Sequence, residues 1–331
     1  MKMKRNSNID LIRVVANILV ITVHFFLNTE FYDLTIQSPS TIVSTVIRTF
    51  AIICVPLFIL ITGYLMSEKV LTLSFYRRLG VFLRDYLVIS IVIYLFRVYL
   101  LGESQTIVSG IFGIFDFSTG PYSWYVEMYI CLFLLIPFLN LIWKNLKNRA
   151  QHNALLATLI FLTILPSLNP VLPVFPSFWT SLYPITFYFT GVYIKSYYKE
   201  LRSIKVFPLF IVGMIISSVH NIVVSYGSVF HWDSYNDYFG YQVYIVSVAF
   251  FLMLLKINVP NKLSNVCAYL AKYSFAIYML SYVFDSVVYT EFQELIPKYS
   301  NQLMLMFIPI ILVYIGSLVI SIVLRKIKLI S

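Results

Sequence analysis

Five polar residues on one otherwise aliphatic run are the first candidates for chemistry. The stretch "NIDLIRVVANILVITVHFF" (8–26) and the residues just after it hold Asp10, Arg13, Asn17, His24 and Asn28. An imidazole titrates near neutral pH and can exchange a proton, and a guanidinium can hold an anion. Each of these groups is expensive in hydrocarbon. At about 100° per residue the five fall within roughly 60° of one another, so they form a single helical stripe. Arg13 and His24 stand eleven residues apart, which is about 16 Å along a helix axis. Interhelical pairing, Asp10 with Arg13 for instance, accounts for part of the stripe. It accounts poorly for a deep His in register with an Arg.

The elements that position these residues follow from composition. Of 331 residues, 60% are hydrophobic and 11% charged. A soluble domain of this size would have too little polar material to face water, so the bilayer is the solvent for most of the chain. Reading windows of about 19 residues predicts an all-α integral membrane protein of about ten transmembrane helices. They lie near 10–28, 42–66, 80–101, 124–142, 153–167, 179–195, 206–226, 240–256, 265–288 and 303–324. The fifth and sixth are short and separated by the proline-rich "PSLNPVLPVFPS". No stretch is long enough for a separate soluble domain, so 1–331 reads as one transmembrane domain. Cys54, Cys131 and Cys267 are scattered in apolar runs and read as small core hydrophobes. The first run carries charge and has no small-residue cleavage site after it, so it reads as a retained helix.

The net charge of +10 resembles that of a polyanion binder, but its distribution is topological. Lys2, Lys4 and Arg5 precede the first span, and further basic residues follow the second, fourth, sixth, eighth and tenth, including Lys69, Arg77, Arg78, Lys144, Lys195, Lys256 and Arg325. The opposite loops hold Lys298 alone among basic residues, beside acids such as Glu30, Glu103, Asp233 and Glu294. The positive-inside rule then puts both termini in the cytoplasm and removes nucleic acid from the list of partners. Arg13, Arg48, Arg84, Arg97 and Lys272 are left within or at the edges of spans.

At this point the sequence resembles a known family, the membrane acyltransferase-3 proteins, whose first helix carries an Arg-x10-His motif that Arg13 and His24 match. Further blocks follow in family order: "VPLFILITGYLM" (55–66), "FYRRLGVFLRDYLV" (75–88), "GPYSWYVEMYICLFLLIP" (120–137), "FYFTGVYI" (187–194) and "YSFAIYMLS" (273–281). The chain departs from the family pattern at the third-helix entry, where Arg77-Arg78 and Arg84 replace an Arg-x-x-Arg pair and Asp85 replaces a frequent proline. Ser281 stands where a ninth-helix His is common. The resemblance implies an O-acyltransferase of the cell membrane, bacterial and multi-pass. It would move acetyl from acetyl-CoA to a hydroxyl of a surface or capsular polysaccharide or its lipid-linked precursor, with membrane lipids around it and no metal.

Such a transfer needs a group to take the hydroxyl proton and a group to stabilise the oxyanion. His24 is the imidazole placed for the first task, while His152 and His231 fall in loops and His220 reads as a core histidine. Coenzyme A brings phosphates that cations must hold, and Arg13, Arg77, Arg78, Arg84 and Lys272 stand at inner span ends. At the depth of His24, either Asp285 or Glu127 would orient the imidazole, with Ser281 one turn before Asp285. Trp124 and Tyr125 read either as an interfacial aromatic belt or as a sugar platform, with Asn28 and Ser281 as further acceptor contacts. Two alternatives remain at this stage, a flippase or transporter for a glycan precursor and a proton-coupled carrier using His24 and Asp285. Neither internal repeats nor paired broken helices typical of transporters are visible in the sequence. Oligomeric state is not legible.

Overall fold

The structure is a computed structural model and describes residues 5–331; Lys2 and Lys4 lie outside the described residues. The described residues form α-helices joined by short 3-10 turns, with an isolated bridge between Ile36 and Tyr226 and no strand. Eight stretches are long and apolar enough to cross a membrane. The helices are α1 (Ser7–Leu27), α2 (Pro39–Ala51), α3 (Cys54–Met66), α4 (Leu73–Tyr99), α5 (Ile107–Phe115), α6 (Trp124–Asn145), α7 (Arg149–Thr163), α8 (Tyr183–Ser196), α9 (Tyr198–Leu201) and α10 (Val206–Ser225). They continue with α11 (Tyr241–Leu255), α12 (Asn261–Leu270), α13 (Ser274–Leu295), α14 (Tyr299–Met304) and α15 (Phe307–Lys326).

Eight of the ten expected spans correspond to these stretches. The two that fall short are α7, with 15 residues, and α8, with 14, below the roughly 20 that cross hydrocarbon unaided. The prolines between them end α7 early and leave an irregular connection. Short as it is, α8 lies deep in the bundle against α3. A Cβ built on Gly191 would stand 2.3 Å from the Leu60 carbonyl oxygen, and one on Gly63 would stand 2.0 Å from that of Tyr188. The glycines of two motif blocks are thus facing halves of one backbone-to-backbone contact.

Two predicted continuous spans are broken, and each break serves a cavity. The 42–66 run interrupts at Ile52 and Ile53, because Pro56 has no N–H to bond Ile52 and its ring would meet that carbonyl. The 265–288 run interrupts at Ala271–Tyr273 and so presents Lys272 at a helix end.

Helix α1 is central. It packs against α2, α3, α11, α12, α13 and α15, and its span is 78% buried, against 22% for α10. Asn6 caps its first turn. Basic-bearing helix ends meet around its start. Arg5 donates to the Ala268 carbonyl, Asn8 to those of Leu254 and Ile257, and Lys256 to that of Ile204. Asn140 of α6 similarly holds the Met66 and Lys69 carbonyls, and Lys195 pairs with Glu68 at 3.3 Å.

Candidate active site

His24 sits in the last turn of α1, buried, with a carboxylate against its ring. His24 Nδ1 is 2.9 Å from Asp285 Oδ2, and the Tyr122 hydroxyl donates to the same oxygen at 2.6 Å. A carboxylate accepts, so Nδ1 carries the proton and Nε2 keeps its lone pair for another partner. The Tyr122 ring lies flat on the imidazole, with centroids 3.7 Å apart and planes 13° from parallel. Ser281 Oγ stands 3.3 Å from Nδ1 and donates to the Tyr278 carbonyl, while the Tyr278 hydroxyl donates to the Tyr122 carbonyl. Helix α13 and the segment before α6 thus fix this ring of α1 from two sides. Residues 278, 281 and 285 share a face of α13 at helical spacing, which is why one helix supplies three of the contacts.

Two cavities flank this cluster. One, termed outer for its place at the C-terminal end of α1, is about 200 Å³ and is lined by His24, Val20, Tyr122, Trp124, Trp232 and Tyr238, with Cys54 and Val55 from the start of α3. The inner one, about 250 Å³, is lined by Arg13 and Lys272 with Thr62, Phe82, Tyr125 and Tyr129. Val55 and Tyr278 line both cavities. Neighbouring residues of α6 divide between them, Trp124 to the outer and Tyr125 to the inner. Trp124 stacks on Tyr238 with centroids 5.2 Å apart, an internal aromatic pair and not part of a lipid-facing belt.

Several candidate residues lie elsewhere, each for a geometric reason. Glu127 is exposed and lines neither cavity; it lies about 200° around α6 from Tyr125 and one turn beyond Trp124. The carboxylate beside the imidazole is Asp285. Arg77 and Arg78 are exposed and line neither cavity. On α4 the inner-cavity residue is Phe82, from which Arg84 is about 200° away; Arg84 pairs instead with Asp85 at 2.7 Å. Asn28 ends α1, donating to the His24 carbonyl at 2.8 Å and accepting from Gln293 on its own carbonyl, so it is a helix cap. Asp10 takes Arg5 as its close partner at 2.5 Å, with Arg13 at 3.8 Å, leaving Arg13 free to face the inner cavity.

The remaining intramembrane cations are pins. Arg48, fully buried, lies between the rings of Phe230 and Trp232 at 4.7 and 4.5 Å and donates to the Asn236 carbonyl. It thereby holds the segment that puts Trp232 on the outer cavity. Arg97 pairs with Glu103 at 2.7 Å and donates to the Thr119 carbonyl, fixing the approach to Tyr122. Lying beyond the span, the Glu103 carboxyl is held below the usual carboxylate range by that guanidinium. Sequence reasoning did not single out Tyr122, Tyr278, Trp232 or Tyr238. The first two stand inside the quoted blocks "GPYSWY" and "YSFAIYMLS", and the i, i+3, i+7 register of 278, 281 and 285 was the available signal for Tyr278.

A family model described as an acyltransferase domain (acyltransferase 3) matches residues 6–326. No curated protein and no solved structure matches the chain. The match runs through every element that builds the two cavities, and the chain belongs to the membrane acyltransferase-3 family.

Proposed function

We propose that the protein is an O-acetyltransferase that takes acetyl from coenzyme A at the basic end of the bundle and delivers it to a sugar hydroxyl at the other. One observation carries this reading: His24, bonded at Nδ1 to Asp285, lines a cavity whose wall is shared with a second cavity bearing Arg13 and Lys272. With both termini in the cytoplasm, as the basic loops argue, the cationic cavity opens toward the compartment that holds acetyl-CoA. Arg13 and Lys272 hold phosphate oxygens, and the pantetheine arm runs outward along α1 for the roughly 16 Å that separates Arg13 from His24.

The chemistry then proceeds at one nitrogen. His24 Nε2 takes the proton of the acceptor hydroxyl as its oxygen attacks the thioester carbonyl, and Asp285 stabilises the imidazolium that forms. As the tetrahedral intermediate collapses, the C–S bond breaks and the thiolate leaves with the proton from Nε2. The products are an O-acetyl ester and coenzyme A. Trp124, Trp232 and Tyr238 offer the acceptor apolar ring faces, which suits a sugar of a surface polysaccharide or its lipid-linked precursor. The His24–Asp285 pair would also serve a proton-coupled carrier, and it is the match to an acyltransferase family that favours acyl transfer over a carrier or a flippase.

The test compares the surface glycans of source cells carrying wild-type protein or His24→Ala by mass spectrometry. Loss of acetyl groups in the variant, with the protein still folded in the membrane, is the expected result. An unchanged acetylation pattern removes the reading.

A further inference from the structure

Asn17 has no role in the account above, yet it is the most anomalous member of the polar stripe. It is 1% exposed, and neither its Oδ1 nor its Nδ2 has a hydrogen-bond partner among the described residues. It therefore does not glue α1 to a neighbour. A buried amide left unpaired on both atoms costs the desolvation of a donor and an acceptor together, which a leucine at the same place would avoid.

Its position is specific. Taking Arg13 as reference, Asn17, Val20 and His24 lie within roughly 60° around α1. Arg13 lines the inner cavity, and Val20 and His24 line the outer one, so Asn17 sits between the two along the same face. It is about 6 Å along the axis from Arg13 and about 10.5 Å from His24.

We propose that Asn17 recognises the two amides of the pantetheine arm of the donor, its Nδ2 donating to the carbonyl of one and its Oδ1 accepting from the N–H of the other. This rests on the acyl-CoA reading of the inner cavity and deepens it. A trans secondary amide points its N–H and its C=O to opposite edges, so one amide meets one of the two vacant atoms and two successive amides meet both. A hydrocarbon chain offers neither. The arm of coenzyme A contains two such amides, and in an extended arm the one farther from the sulfur stands about 9 Å from it. With the sulfur beside His24, that amide reaches the level of Asn17. Val55 and Tyr278, which line both cavities, form the wall that the arm has to pass to reach Asn17.

The test is binding to the purified full-length protein in nanodiscs, using coenzyme A and adenosine 3′,5′-bisphosphate, which keeps phosphates but lacks the arm. Asn17→Leu is expected to weaken coenzyme A about tenfold, as two lost hydrogen bonds in a closed site would, and to leave the bisphosphate within about twofold of wild type. Without ligand, the variant should melt at the same temperature or higher, because an unpaired buried amide has been removed. Asn17→Ser, which retains one polar atom, should fall between. Unchanged coenzyme A affinity in Asn17→Leu overturns the proposal, as does an equal loss for both ligands with a lower melting temperature, the mark of a structural residue. Wild-type protein that binds neither ligand overturns the donor reading itself. Wild-type protein that binds coenzyme A, with Asn17→Leu indistinguishable from it, leaves that reading standing and removes Asn17 alone.

Discussion

The two cavities are built on different principles. Around His24 every group is buried and held by more than one contact: the carboxylate takes both imidazole and phenol, and the phenol ring stacks on the imidazole it helps to orient. Around Arg13 and Lys272 the polar groups are long cationic side chains, Lys272 exposed and Arg13 partly so, among aromatic rings. The outer arrangement suits a reacting atom that must be met at a fixed distance. The inner one suits a polyanionic handle, for which charge matters more than angle. The difference teaches where substitutions should act: on the chemical step at one end, and on affinity and salt dependence at the other.

Substitutions can break that contrast. The largest effect is expected from His24→Ala and from Asp285→Asn, each lowering the turnover number by about 10²–10⁴-fold with little change in donor affinity, measured by coenzyme A release in purified protein. A large donor KM effect with normal turnover in either variant would erase the contrast. Next, Arg13→Gln with Lys272→Gln should raise the donor KM by about 10–100-fold, with a loss of much of the salt sensitivity seen in wild type and turnover at saturation retained. Tyr122→Phe keeps the stacked ring and loses one bond to Asp285, so a fall in turnover of about 3–10-fold is expected. Smallest of all, Glu127→Gln and the triple replacement of Arg77, Arg78 and Arg84 by Gln should stay within about threefold of wild type, since none of these residues lines either cavity. A loss in the triple variant comparable to that of Arg13→Gln would move the donor site toward the start of α4.

A separate prediction concerns the scaffold. Gly191→Ala or Gly63→Ala drives a methyl into the backbone of the facing helix, so both should fail to accumulate as folded protein, as judged by size-exclusion profiles in detergent. Normal accumulation would mean that α3 and α8 can separate without loss.

What the sequence makes legible follows from helical periodicity. The stripe on α1 is a one-helix property, so the common face of Arg13 and His24 could be read directly, as could the shared face of Ser281 and Asp285. The choice between Asp285 and Glu127 was an inter-helix property. It could not be read from depth alone. Arg77, Arg78 and Arg84 were placed by proximity to the inner surface, a criterion that ignores the side of α4 for Arg84 and, for Arg78, that the Phe82 side one turn earlier is exposed. The interruptions at 52–53 and 271–273 fall inside long apolar runs, where hydropathy windows average them away; Pro56 was the local sign of the first. Tyr122 was hidden because it precedes α6 on a turn held by Arg97, a contact between distant residues. Apolar length sets α7 and α8 apart from the other eight stretches, because at 15 and 14 residues they are shorter than a span that crosses hydrocarbon unaided.

The claim on which the account turns is that a donor anchored by cations at one end meets the imidazole at the other. Its most direct test is an experimental structure of the protein in nanodiscs with coenzyme A. The account predicts phosphates against Arg13 and Lys272 and the sulfur about 3–4 Å from His24 Nε2, a near-attack separation. A nucleotide bound at another surface, or an arm that leaves the bundle without passing between α1 and Tyr278, would contradict it.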